Sequence, residues 1–148
     1  MLDKIKKLRA QSGMGVMQCQ KALTQAKGDF NKAFEILKKI SQDAVVKRID
    51  REVSHGLIEA YVHSNAKIGA MVELRCETDF VAKNPEFKAL AHDLAMQIAA
   101  IECKSKKTLL KQLFIKDAGF TITDLIKQKI AQIGEKIELK RFERFEIK

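Results

Sequence analysis

With 148 residues, 46% hydrophobic and 32% charged, the chain has the makeup of a soluble globular protein, either one compact domain or a small helical module followed by a second domain. No apolar run approaches the roughly 20 residues of a membrane span, and Met1 to Lys7 opens directly into an amphipathic pattern without the apolar core of a secretory signal. The net charge of +9 points to an acidic partner, yet acidic residues are interleaved throughout and the 6% aromatic content includes no Trp and a single Tyr, so the stacking pattern of a single-strand nucleic-acid binder is missing.

In chain order, Leu2, Ile5 and Leu8 recur at helical spacing. After the Ser12-Gly13 break, Val16, Cys19, Leu23 and Ala26 do the same. Gly28 ends that helix and Asp29 is placed to cap the next, whose apolar stripe is Phe30, Ala33, Phe34, Leu37 and Ile40. Residues 1–40 are therefore expected to form a three-helix module. Residues 41–54, charged and weakly amphipathic, are expected to form a helical connector, with Val45, Val46 and Ile49 as its apolar points.

The remainder, residues 55–148, mixes strands and helices. Leu57 to His63 alternates Ile58, Ala60 and Val62 against Glu59 and Tyr61. Ser64-Asn65 and Gly69 supply turn chemistry, and Ala70 to Cys76 reads as the second strand of a hairpin. Asn84-Pro85-Glu86 is a helix start, because Asn caps well, Pro suits the first helical position and Glu complements the positive end of the dipole. The helix is expected over Pro85 to Glu102, with Phe87, Leu90, Ala91, Leu94, Ile98 and Ile101 inward. A further helix, capped by Thr123 and ending at Gly134, leads to a last strand over Lys136 to Ile147, with Ile137 and Leu139 on one face and Phe142 on the other. The expected class is α+β: a three-helix bundle, then a small three-stranded antiparallel sheet packed with helices.

Between the second strand and the Pro85 helix lie Thr78, Asp79, Phe80 and Val81. Two large apolar residues beside a carboxylate, on a short connection between rigid elements, read either as core tucked under the helix or as an exposed contact device. Elsewhere the chemistry is sparse. His55, His63 and His92 have no paired metal spacing, and Cys19, Cys76 and Cys103 are too few and too scattered for a disulfide framework. Gly13-Met14-Gly15 lacks the following Lys-Ser/Thr of a phosphate loop. No catalytic residue, metal, cofactor or bound nucleotide is expected.

The run Glu73-Leu74-Arg75-Cys76-Glu77-Thr78-Asp79-Phe80-Val81-Ala82-Lys83-Asn84 resembles the signature of the translation elongation factor Ts family. Two more segments in the family's order are similar as well: Leu8-Arg9 with Gly13 to Leu23 and Gly28-Asp29, and Ala131-Gln132-Ile133-Gly134-Glu135-Lys136-Ile137. The resemblance implies a ubiquitin-associated type of N-terminal bundle and a guanine-nucleotide exchange factor that binds elongation factor Tu and promotes GDP release. It implies that Phe80 inserts into the GTPase near its Mg²⁺ region, with Thr78, Asp79 and Val81 in the same contact. Arg9, Val16 and Met17 would touch the GTPase from the bundle, and Ile133 and Gly134 from a helix end. The family often has Met where Val16 stands and Asp where Gln18 stands. It also commonly carries a longer helical insertion where only Cys103 to Phe120 separates the core helices here. Short members dimerise, so a homodimer covering the sheet is expected. The implied compartment is a bacterial cytoplasm, a plastid stroma or a mitochondrial matrix. The competing readings are a basic nucleic-acid-binding protein built on the three-helix module and an enzyme using Cys76 beside its carboxylates.

Overall fold

The computed structural model describes residues 1–148 and divides into two compact units, Met1–Asp50 with Lys127–Gly134, and Arg51–Ile126 with Glu135–Lys148. In the first unit three helices follow in succession: α1 (Leu2–Ser12), α2 (Val16–Gln25) and α3 (Phe30–Lys47). Gly13 stops α1 in the left-handed region at φ 69, a conformation free of penalty only for glycine, and its N–H closes on the Arg9 carbonyl at 2.8 Å. Asp29 starts α3, its side chain accepting from the Lys32 N–H at 3.1 Å. The inward stripes meet in a core around Leu8, Met14, Leu23 and Leu37, each almost wholly buried. The third helix runs past Ile40 as far as Lys47 without a break, and the chain leaves helix at Arg48.

In the second unit, β1 (His55–Val62), β2 (Ile68–Cys76) and β5 (Ile137–Glu146) form an antiparallel sheet in the order β1-β2-β5. The β1–β2 hairpin turns through Ser64-Asn65-Ala66, where the Asn65 side chain accepts from the Lys67 N–H at 2.9 Å. Gly56 must be glycine because a Cβ there would strike the Leu74 carbonyl oxygen on the neighbouring strand. One face of the sheet presents Ala70, Val72, Leu74 and Cys76 to α5 (Pro85–Ala100), which buries Phe87, Leu90, Leu94 and Ile98. Asn84 caps α5 through the Glu86 N–H at 2.8 Å, with Pro85 in its first turn.

Three local expectations are corrected. First, α5 stops at Ala100, and Ile101 is an extended, partly exposed cap instead of a core residue. Second, α7 (Ile122–Ile133) is capped by Thr121. Its hydroxyl accepts from the Asp124 N–H at 3.1 Å while the Asp124 carboxylate accepts from the Thr121 N–H at 3.1 Å. Thr123 instead donates its hydroxyl to the Leu110 carbonyl at 2.7 Å. Third, Phe142 shares the face of Ile137 and Leu139. Leu139 pairs with Leu74 and Arg141 with Glu73, so Lys140 is an extra, unpaired residue, and this bulge reverses the alternation beyond it. Phe145, not Phe142, is the large apolar residue of the opposite face. The sequence pattern assigns no element to the segment after α5, where α6 (Lys106–Lys111) leads into a small hairpin of β3 (Leu113–Phe114) and β4 (Asp117–Thr121). The wholly buried amide of Gln97 holds it, donating to the Gln112 side chain and the Leu113 carbonyl and accepting from the Ile115 N–H at 2.9 Å.

Candidate partner-binding site

Thr78 to Val81 lie where β2 hands over to α5. They form the start of a single helical turn, α4 (Asp79–Ala82), rather than an open loop. Thr78 caps that turn, its hydroxyl oxygen accepting from the Val81 N–H at 3.3 Å. Ala82 is the buried foot of the turn and Val81 is half-buried, while Phe80 is 90% exposed. The core alternative for Phe80 is thereby excluded, since almost none of its ring touches the protein. Asp79 is exposed and pairs with Lys83 one turn on, at 2.9 Å, and that ammonium holds the Asp79 carboxyl below the usual carboxylate range.

The turn is held from beneath by residues 57–58 positions away in the chain. The Glu135 carboxylate accepts from the Glu77 N–H at 3.1 Å, the Thr78 N–H at 3.0 Å and the Thr78 hydroxyl at 2.7 Å. In return the Glu77 carboxylate accepts from the Lys136 N–H at 2.9 Å, and Arg51 approaches it at 3.3 Å. The Cys76 thiol donates to the Thr78 carbonyl at 3.2 Å. Burial, with the Glu135 charge beside it, pushes this thiol up to about 11, so at neutral pH it is a protonated donor and not a nucleophile. Cys76 is also wholly buried, which leaves its sulfur no surface to offer a substrate. No group of three or more His, Cys, Asp or Glu side chains is placed to hold a metal ion.

Within the first unit, Arg9 is exposed on α1, and Val16 and Met17 are exposed on the first turn of α2. Met17 borders an open depression with Gln20, Lys21 and Thr24. Gln18 turns back to accept from the Gly15 N–H at 3.4 Å, so its amide serves the helix start. Ile133 is half-buried at the end of α7, and Gly134 terminates that helix at φ 86. Gly134 thus has a conformational duty of its own. Glu135 and Glu77 escape sequence reasoning as site residues, because their partners are remote in the chain. The one local signal is that Glu135 directly follows a helix-ending glycine.

The site's geometry is that of an exposed aromatic ring on a tethered turn. The elongation factor TS family profile matches residues 77–148. Elongation factor Ts of Moorella thermoacetica is 38% identical, the match covering 97% of this chain and 93% of that protein. The Herpetosiphon aurantiacus protein of the same name is 36% identical over 99% of this chain and 96% of its own length. A chloroplastic elongation factor Ts from Guillardia theta is 37% identical over 95% and 85%. The chain belongs to the elongation factor Ts family, the nucleotide exchange factors of elongation factor Tu, which are not enzymes. The Moorella alignment runs over 188 positions against 148 residues here, so the relatives carry segments that this chain lacks.

Proposed function

We propose that this chain drives GDP release from elongation factor Tu by presenting Phe80 as a wedge to the GTPase, with Asp79 and the half-buried Thr78 and Val81 completing the contact. The observation that carries the reading is the 90% exposure of Phe80 on a tethered turn. A large ring left in water forfeits its burial energy in the free protein and regains it only against a partner. Exchange needs no catalytic group. A factor that binds the empty GTPase more tightly than the GDP-bound form weakens GDP by the same factor. Arg9, Val16 and Met17 on residues 1–40 form a second contact, and Ile133 with Gly134 a third. Residues 41–54 serve as the connector and residues 55–148 as the core. The test is release of a fluorescent GDP analogue from elongation factor Tu, with and without this protein, alongside binding to the empty and GDP-loaded GTPase. Tight binding to the empty form and weakening by GDP with Mg²⁺ are expected. Equal affinity for both forms refutes the mechanism, because a ligand indifferent to two states shifts neither.

We further propose a homodimer through the sheet face that α5 leaves open. That face carries Ile58, Val62, Met71 and Phe145, all exposed, around Glu73, whose carboxylate accepts from Arg75 at 2.6 Å and Arg141 at 2.8 Å. A patch holding both signs of charge inside an apolar surround suits the self-complementary contact that twofold symmetry demands. The bacterial and chloroplastic relatives support a bacterial cytoplasm or a plastid stroma as the compartment. No helix is long and apolar enough to cross a membrane.

A further inference from the structure

We infer that Glu135 is a positioning residue for nucleotide exchange, acting through Phe80 by fixing the turn that carries it; this rests on the wedge reading above. A wedge that is 90% exposed has no packing of its own ring to aim it, so only its backbone can. That backbone is a four-residue helix, Asp79–Ala82, too short to be stable by itself. Its direction therefore depends on the buried foot at Ala82 and on tethers at its start. Glu135 supplies the densest of them, accepting from the N–H groups of Glu77 and Thr78 and from the Thr78 hydroxyl. The hydroxyl bond also does a second job. By taking the Thr78 hydrogen at 2.7 Å, Glu135 leaves the hydroxyl oxygen free to accept from the Val81 N–H and cap the turn. A carboxylate is the group that can accept all three at once. Without it two N–H groups lose their protein partner, the cap can rotate, and Phe80 samples many directions, a cost met again at each encounter with the GTPase.

The experiment places Glu135→Ala and Glu135→Gln in the full chain, each with Phe80 intact and with Phe80→Ala. It measures release of a fluorescent GDP analogue from elongation factor Tu, thermal melting, and hydrogen exchange at the Glu77 and Thr78 amides. With Phe80 intact, Glu135→Ala is expected to slow release roughly ten- to a hundredfold and to speed exchange at both amides. Glu135→Gln keeps one carbonyl oxygen for the two N–H groups but loses the acceptor for the hydroxyl, so about a three- to fivefold slowing is expected. In the Phe80→Ala background neither change should slow release by more than about twofold, since nothing remains to be aimed. A purely structural role predicts the same factor in both backgrounds, and that result overturns the inference. So does unchanged release in Glu135→Ala while Phe80→Ala is slow, which leaves the wedge standing. Full activity of Phe80→Ala alone removes the wedge and this inference together. If melting shows that Glu135→Ala does not fold, the Gln pair carries the same comparison.

Discussion

Phe80 and Cys76 sit four residues apart and have opposite fates. The ring is in solvent and the thiol is wholly buried. Phe80→Ala should slow GDP release roughly ten- to a hundredfold, the equivalent of about 1–3 kcal/mol of contact made only with the GTPase. Its melting temperature should stay close to that of the unaltered protein, because an exposed ring contributes no packing. A melting loss equivalent to about 3–5 kcal/mol would instead mark a core residue. Asp79→Ala should cost less, since an exposed carboxylate already paired with Lys83 mainly orients and steers. For Cys76 the sign of the pH dependence follows from the raised pKa. The thiol titrates at about 11 in the folded chain against an ordinary 9.0. Between those values the unfolded chain releases the proton first, so stability fully present below pH ~9 declines as pH rises. Melting followed from pH 8 to 11 should fall more steeply in the natural chain than in Cys76→Ala, where the thiol is gone.

At the scale of elements, α7 is defined by its ends. Thr121 and Asp124 exchange hydrogen bonds at its start, and Gly134 closes it at φ 86. Thr121→Ala should therefore cost about 1 kcal/mol, read as a drop of roughly 2–4 °C in melting temperature. Thr123→Ala removes a different bond, to the Leu110 carbonyl that precedes the β3–β4 hairpin, so amide protection should drop in that hairpin and not at the helix start. β5 shows how one residue redirects an element. The extra Lys140 moves Phe142 onto the covered face, where Arg144 beyond it donates to the Ile98 and Ala99 carbonyls at the end of α5. The same bulge sends Phe145 to the open side.

For the molecule as a whole, the sheet face away from α5 leaves Ile58, Val62, Met71 and Phe145 in solvent. Phe145, 74% exposed there, should be central to a dimer. Phe145→Asp is expected to shift sedimentation from dimer to monomer at micromolar concentration while leaving the melting of the single chain nearly unchanged, because the ring has little packing to lose. A natural chain that sediments as a monomer would rule out the homodimer. The net charge of +9 adds a general attraction towards acidic surfaces that salt should weaken. The nucleic-acid reading has no observation beyond that charge.

The sequence by itself determined the α+β class, the three helices with their Gly13 and Asp29 boundaries, the Asn84-Pro85 helix start and the hairpin of β1 and β2. Each is a local matter of periodicity, capping and turn chemistry acting within a few residues. It also determined the family, through three short segments whose order needs no coordinates. Whether Phe80 faced core or water was decided only by tertiary structure. An apolar residue beside a helix start has the same local pattern in both cases, and burial depends on what the rest of the chain brings against it. The Glu135 tether, the Gln97 clamp on the β3–β4 hairpin and the Lys140 bulge share that character. Each joins residues through contacts that exist only once distant segments have folded together, and no local propensity encodes such contacts.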